Sequence, residues 1–223
     1  MIEIWGRRNS SNVIPVLWAV AETGEDYRRH DAGGSFGGLK TPDYRAMNPN
    51  GLVPTLVDDG FVLWESNAII RYLAAKYCGD SLWHGDAAQR SQADRWMEWA
   101  KSTGIPPTMG LFFATVRTEP EARNPAAIAK RSEAVARIWQ FLDGQLAERP
   151  YLAGDSLTMG DIPLGALAHR YFQMDVARPD LPNVAEWYDR LCERPAYAEH
   201  CMIDFGDNPA EWHSLERAGA NPD

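Results

Sequence analysis

The sequence predicts two domains of different class, a mixed α/β domain over residues 1–78 and a helical domain over residues 89–223. Short strand patterns alternate with helical patterns up to Tyr77, and only amphipathic helical patterns follow. The polar, turn-rich stretch 79–88 lies between them. We therefore expect it to be the linker.

The first domain begins with an alternating segment, Ile2-Glu3-Ile4-Trp5, which predicts a strand. Apolar residues at helical spacing from Val13 predict a helix that ends at Gly24, a common C-terminal stop. A second short strand is expected over residues 26–30 and a short helix over residues 41–47.

Two further strands are predicted on either side of Asp59-Gly60, because this dipeptide between apolar runs is a strong hairpin signal. Pro54 has no N–H to donate, so it must begin a strand or lie on an edge. Residues 66–77 then predict a helix. Glu65 and Ser66 lie at its start, where free backbone N–H groups favour an anion.

The second domain is predicted from helical spacing alone. The Pro-Pro pair after Ile105 must kink or break the first of its helices, and Thr158 to Asp161 form a capping-box-like start of a later helix. The tail 208–223 either folds over the active site or is disordered at its end. The expected helices span residues 91–103, 125–146, 158–172 and 185–194.

Composition excludes several classes of function. A formal net charge of -9 argues against binding to a phosphate backbone. No apolar run is long enough to span a membrane, and the N-terminus lacks the features of a signal peptide. The 3 cysteines are too few for a disulfide framework, and the 5 histidines form no ligand-spaced cluster, so we expect a cytosolic protein without a metal.

The pairs Val53-Pro54, Asp59-Gly60 and Glu65-Ser66, at this spacing, resemble the glutathione-binding half of the glutathione S-transferase superfamily. The resemblance extends over residues 1–197 and is to bacterial, serine/asparagine-type, theta- or nu-like members. It implies a thioredoxin-like first domain followed by an all-α second domain. It also implies a cytosolic homodimer that acts in detoxification.

The resemblance assigns roles to the central motif. It implies that Pro54 is cis, that the Val53 backbone pairs with the cysteinyl part of glutathione, and that Glu65 and Ser66 hold the γ-glutamyl carboxylate. The positions that often hold the glycyl carboxylate carry no polar side chain here, and Lys40 is a possible substitute. The expected glutathione-binding residues are Leu52, Val53, Pro54, Glu65, Ser66 and Lys40.

The implied chemistry is activation of the glutathione thiol, whose pKa is lowered by a hydrogen-bond donor at a helix N-terminus. The donor should lie between the first strand and the first helix, where Ser10 ranks first, then Asn12, then Ser11. At least one of these residues is also expected to cap the helix. The loop has no Tyr and no Cys, which disfavours the tyrosine-type and cysteine-type classes.

The predicted function is that of a glutathione transferase whose thiolate attacks a hydrophobic electrophile or a disulfide, with reductase or peroxidase activity left open. The alternatives are a non-catalytic binding or assembly protein of the same fold, and a glutathione-dependent isomerase, dehalogenase or lyase. For each candidate for the second-substrate pocket, helical spacing favours a position in the core over one in the pocket. These candidates are Trp96, Trp99, Met109, Phe112 and Phe113.

Overall fold

The structure is a computed structural model that describes residues 1–79 and 81–221. Asp80 in the predicted linker and residues 222–223 of the predicted tail lie outside the described residues. The strands are β1 (Ile2–Trp5), β2 (Tyr27–His30), β3 (Thr55–Asp58) and β4 (Phe61–Trp64). The helices are α1 (Ile14–Thr23), α2 (Pro42–Met47), α3 (Ser66–Tyr77), α4 (Ala87–Trp99), α5 (Ile105–Thr115), α6 (Pro125–Leu146), α7 (Ile162–Gln173), α8 (Pro182–Cys192), α9 (Pro195–Cys201) and α10 (Pro209–Ala218).

The four strands form one mixed sheet in the order β2-β1-β3-β4. β1 runs parallel to β2 and antiparallel to β3, and β3 pairs antiparallel with β4. Asp59 and Gly60 connect β3 to β4 with φ values of 48° and 87°. A two-residue hairpin turn with both φ angles positive matches the twist of its strands, as the Asp-Gly signal predicts.

Helix α1 is buried along its length, from Ile14 to Val20, because it lies between the first domain and the helical domain. It contacts α3 on one side and α7 and α9 on the other. Gly165 permits this close approach, since a Cβ there would lie 3.0 Å from the Trp18 ring. The loop before α1 is therefore held from both domains.

The helical domain departs from prediction at the Pro-Pro pair. Helix α4 ends at Trp99, a π-helical turn covers Ala100–Gly104, and α5 begins at Ile105. In this turn the Ile105 N–H donates to the Ala100 carbonyl, five residues back. The prolines fall in the first turn of α5, where a missing N–H costs little, so the chain changes helical register and does not leave the helix.

Thr158 and Asp161 are hydrogen-bonded to each other immediately before α7. Asp161 Oδ2 accepts hydrogen bonds from the Thr158 N–H at 3.0 Å and from Thr158 Oγ1 at 3.1 Å. Its Oδ1 accepts from the Leu152 N–H at 2.8 Å and the Trp187 indole N–H at 3.1 Å. The helix begins at Ile162, later than predicted, because the capping residues precede it. These bonds give Asp161 the structural role that its motif predicts.

The tail forms a helix that the sequence analysis does not resolve, α10, and it packs onto both domains. Trp212 is buried against Phe112, with 5.4 Å between ring centroids. Asn221 donates from its N–H to Asp31 Oδ2 at 2.7 Å. The described part of the tail is therefore ordered against the body of the protein. None of the helices in the described part is both long and apolar enough to cross a bilayer.

Candidate active site

The loop before β3 is shaped by a cis peptide bond between Val53 and Pro54. Two side chains bind this loop through hydrogen bonds to its main chain. The Tyr44 hydroxyl donates to the Leu52 carbonyl at 2.7 Å, and Asn48 Nδ2 donates to the same oxygen at 2.9 Å. Among the described residues the main chain of Val53 takes part in no hydrogen bond. Its N–H and C=O therefore remain available to a bound peptide.

The residue before α3 has an unusual backbone conformation. Glu65 has φ 74° and ψ 115°, a region that non-glycine residues seldom adopt. The first N–H that donates within the helix is that of Ile69, to the Glu65 carbonyl. The earlier N–H groups of this turn therefore need an external partner. Ser66 begins the turn, so its hydroxyl stands beside a group of anion-binding donors.

The loop before β3 that contains Val53 and Pro54 is called the cis-proline loop. A cavity of about 200 Å³ lies between this loop, the start of α3 and the π-helical turn. It brings together Val53, Pro54, Glu65 and Ser66 with Asn12 from the loop before α1. The complete lining consists of Asn12, Asn48, Asn50, Leu52, Val53, Pro54, Trp64, Glu65, Ser66, Asn67, Lys101 and Ile105.

Lys101, a residue that the sequence analysis does not single out, joins the two domains at this cavity. Its Nζ lies 2.7 Å from Glu65 Oε2, and both side chains are about half exposed. Asn67, from α3, reaches the helical domain beside it and donates to the Met97 carbonyl at 3.0 Å. No sequence motif marks Lys101, because its position depends on how α4 packs against α3.

Ser10, Ser11 and Asn12, the three candidates for donating a hydrogen bond to the thiol sulfur, occupy different environments. Ser10 is buried, with only 4% of its surface exposed, and its Oγ accepts the Asn12 N–H at 3.4 Å. Ser11 is half-buried, and Asn12 is exposed and lines the cavity. The Ser10 carbonyl accepts the N–H groups of Val13 and Ile14 at 2.9 Å each. Ser10 is thus bonded to the start of α1 through its carbonyl, and Asn12 is the one of the three residues that lines the cavity.

None of the residues predicted for the second-substrate pocket lines this cavity; Ile105 is the residue from α5 that does. Trp96 and Phe112 are core residues, 4% and 1% exposed, so we remove both from the candidate pocket. Trp99 and Met109 are half-buried, and Phe113 is 52% exposed. Lys40 is exposed and also lies outside the cavity lining.

Glu216 of α10 holds two parts of the first domain together. Its Oε1 lies 2.9 Å from Arg7 Nε, and its Oε2 accepts the Ser35 N–H at 2.8 Å. Neighbouring Gly34, with φ 57°, has no room for a side chain, because a Cβ would lie 2.6 Å from Arg7 Cδ. The Arg7 guanidinium lies beside Gly33, next to the Val53 side chain. The C-terminal helix therefore supports residues 33–38, the glycine-rich loop, which lies beside the cis-proline loop.

Residues 1–79 and 81–221 contain no group of three or more His, Cys, Asp or Glu side chains placed to hold a metal ion. The polar groups at the cavity are instead several side-chain amides, a hydroxyl, a lysine, a single carboxylate and free main-chain N–H groups. Such a set suits an organic ligand with carboxylate and peptide groups better than a divalent cation.

Comparison with known families gives matches to both parts of the chain. The model of the glutathione S-transferase N-terminal domain matches residues 1–75, and that of the C-terminal domain matches residues 99–195. Glutathione S-transferase GstB of Escherichia coli is 41% identical over 205 residues, which cover 91% of this chain and 99% of that protein. Glutathione S-transferase 3 of Zea mays is 30% identical over 88% of this chain and 91% of its own length. The chain therefore belongs to the glutathione S-transferase family.

Among solved structures, a theta class glutathione S-transferase from Xanthomonas axonopodis pv. citri, crystallised with glutathione bound, is similar to this chain with a TM-score of 0.88. The two are 47% identical, over 92% of this chain and 99% of the other. The fold of a thioredoxin-like domain followed by an all-helical domain is thereby confirmed, as is the family that the sequence resembles.

Proposed function

We propose that this glutathione transferase binds glutathione in the cavity between the cis-proline loop and α3, and stabilises its thiolate for attack on a second substrate. One observation carries the proposal. Val53, whose main chain has no hydrogen-bond partner among the described residues, lines a single cavity together with Ser66 and Asn12. Peptide, carboxylate and thiol groups of one ligand would each find a partner there.

The γ-glutamyl end has the more complete set of partners. Ser66 and the free N–H groups at the start of α3 suit its carboxylate, and the Glu65 carboxylate suits its ammonium. Val53 offers one N–H and one C=O, as a strand edge does, to the cysteinyl unit. The proposed glutathione-binding residues are therefore Leu52, Val53, Pro54, Glu65 and Ser66, without Lys40.

The proposed reaction needs no general base. The thiol loses its proton to solvent, and a hydrogen bond from the loop before α1 favours the thiolate. The sulfur then forms a bond to the electrophilic atom as that atom's bond to the leaving group breaks, and the leaving group departs with the electron pair. Asn12 becomes the first candidate for the sulfur donor, because it lines the cavity and Ser10 does not.

Calorimetric titration with glutathione tests the binding step. Wild-type protein should bind glutathione, and Ser66→Ala should weaken binding by about 10- to 100-fold, since a hydrogen bond to a charged group contributes about 1.5–3 kcal/mol. Ser91→Ala, an exposed position on α4, serves as the matched control. Absence of heat at millimolar glutathione in the wild type would reject the proposal.

Ultraviolet absorbance at the thiolate band tests the activation step. Titration of bound glutathione with pH in Asn12→Ala, Ser11→Ala and Ser10→Ala should show the largest increase in thiol pKa for Asn12→Ala. Ser10→Ala should chiefly lower the thermal stability, because Ser10 is buried and its hydroxyl accepts the Asn12 N–H. If all three variants titrate like the wild type, the thiolate is stabilised by some other group.

The edge of the sheet supports a homodimer. β4 is an outer strand, and Phe61, Val62 and Trp64 on it are 48%, 38% and 37% exposed. An exposed apolar edge strand promotes aggregation unless another element packs on it. We propose that a second copy of this chain packs on β4. Light scattering after gel filtration should give a dimer, and Val62→Lys should give a monomer. A wild-type monomer at micromolar concentration would rule out the dimer.

The proposed division remains 1–78 for the glutathione-binding domain, 79–88 for the linker and 89–223 for the helical domain. The start of α4 at Ala87 and its cap at Asp86 support a boundary near the end of this linker. Cys78, Cys192 and Cys201 are free thiols, which supports a cytosolic location.

A further inference from the structure

Arg170, on α7 of the helical domain, is a buried guanidinium that lies against the loop before α1. Only 2% of its surface is exposed. Its Nη2 donates to the main-chain carbonyl of Asn9 at 2.5 Å. Asn9 immediately precedes Ser10, the first of the three candidates for donating a hydrogen bond to the thiol sulfur. Its Nε and Nη1 find no hydrogen-bond partner in the described part of the chain.

No carboxylate within ion-pair distance neutralises this charge among residues 1–79 and 81–221. The charged and titratable groups that face it are Arg7, after β1, Arg117, after α5, and Cys201, on α9. The carboxylate of this region, Glu216 on α10, is 2.9 Å from Arg7. Three guanidinium groups therefore lie close together beside the loop, and Glu216 faces two of them, Arg7 and Arg117, in a protein whose formal net charge is -9.

Aromatic rings close the remaining sides of this guanidinium. Its central carbon is 4.9 Å from the Phe112 ring centroid and 5.3 Å from that of Trp212. Burial lowers the pKa of Arg170 to about 9, so the side chain is still charged at neutral pH. A methionine or leucine would fill such an aromatic space without the desolvation cost of a charge.

We propose that Arg170 is a positioning residue for thiol activation. Its bond to the Asn9 carbonyl fixes the peptide between Asn9 and Ser10, and thereby the direction of the side chains that follow. Its unpaired charge adds a positive potential below the loop, which favours a thiolate over a thiol. The inference rests on the proposed function, and it assigns part of sulfur activation to the helical domain.

The test compares Arg170→Met with Arg170→Lys and with the control Arg178→Met. Arg178 is also an arginine that donates to main-chain carbonyls, those of Tyr171 and Met174, but it contacts no residue of the loop. Arg170→Met should raise the pKa of the bound glutathione thiol by about one unit. At pH values below the wild-type thiol pKa, kcat/KM of Arg170→Met should be about tenfold lower than that of the wild type, because the thiolate fraction is lower by that factor.

The KM for glutathione should change much less than kcat, since the cavity around Ser66 is untouched, and Arg170→Lys should recover part of the thiol pKa. Folded Arg170→Met with the wild-type thiol pKa would overturn the inference and leave the proposed function standing. A wild type that neither binds glutathione nor forms its thiolate would overturn the proposed function itself.

If neither variant folds, the intact protein provides a second measurement. With arginine labelled by nitrogen-15, the side-chain resonances of Arg170 should shift as the bound thiol is titrated, and those of Arg178 should not. An Arg170 signal that is indifferent to the ionisation of the thiol would overturn the inference.

Discussion

Lys101 and Glu65 form an ion pair between the helical domain and the start of α3, with 2.7 Å between Nζ and Oε2. Because both side chains are about half exposed, the pair contributes little to the free energy of unfolding. Its position on the wall of the cavity gives it a larger effect on an anionic ligand.

We expect Lys101→Met to weaken glutathione binding by about three- to tenfold at low salt, with an unfolding temperature close to that of the wild type. Calorimetry at two salt concentrations measures this effect, which should shrink at high salt because the salt screens the charge. Lys130→Met, an exposed lysine on α6, is the matched control. Equal affinities of Lys101→Met and Lys130→Met would contradict the prediction.

Glu65 links stability to function through its backbone. A non-glycine residue with φ 74° carries strain of about 1–3 kcal/mol, so Glu65→Gly should raise the unfolding temperature. The same change removes the carboxylate and should weaken glutathione binding. Glu65→Ala loses the carboxylate but keeps the strain, so it should bind equally poorly without the gain in stability. Thermal unfolding and calorimetry of both variants separate the two effects.

Asp161→Asn should destabilise the protein by about 3 kcal/mol or more. Its Oδ1 and Oδ2 each accept two hydrogen bonds, and an amide would turn one acceptor into a donor that faces other donors. Urea unfolding measures the loss, with exposed Asp155→Asn as the control. The kcat of the folded fraction should be unchanged, and a selective loss of kcat would contradict the structural role of Asp161.

Buried His200 should make the protein less stable in acid. Its Nε2 lies 3.0 Å from the Tyr27 hydroxyl, and Glu199, Arg8 and Arg29 are its charged neighbours. Burial disfavours the charged imidazolium more strongly than the Glu199 carboxylate favours it, so the pKa of His200 lies below 6.5. The unfolded chain therefore takes up a proton near pH 6.5 that the folded chain does not, and stability falls as the pH drops below that value.

Urea unfolding from pH 8 to pH 5 measures this loss. His200→Gln, which keeps a hydrogen-bonding group, should unfold with a shallower dependence on pH. His213→Gln, at an exposed position on α10, should keep the wild-type dependence. Identical slopes for His200→Gln and the wild type would assign the acid sensitivity to another group.

The parts of the fold that follow from local chemistry could be predicted from the sequence. The Asp59-Gly60 hairpin forms where its dipeptide requires, and α3 spans the predicted residues because a turn and an anion-binding start define it. Helix α4 begins at Ala87, earlier than the predicted start at residue 91. Asp86 caps it by accepting the Gln89 N–H at 2.9 Å, and this local signal lies within the turn-rich stretch of the predicted linker.

The rest of the site depends on tertiary packing, which local patterns do not encode. Lys101 becomes a cavity residue only because α4 and the π-helical turn pack beside α3. Arg170 reaches Asn9 across 161 positions of sequence. The burial of Ser10 and the exposure of Asn12 likewise depend on how α1 is enclosed by both domains.

The contacts of α10 have a consequence for synthesis. Ser35 and Arg7 are bound by Glu216, and the Arg29 guanidinium donates to the Gly219 carbonyl at 2.8 Å. Glu216 follows Ser35 by 181 positions, so these partners leave the ribosome long after the loop that they hold. On the ribosome, the glutathione-binding half can therefore acquire its strand–helix core early, but its glycine-rich loop gains these contacts only after the helical domain has been synthesised as far as α10.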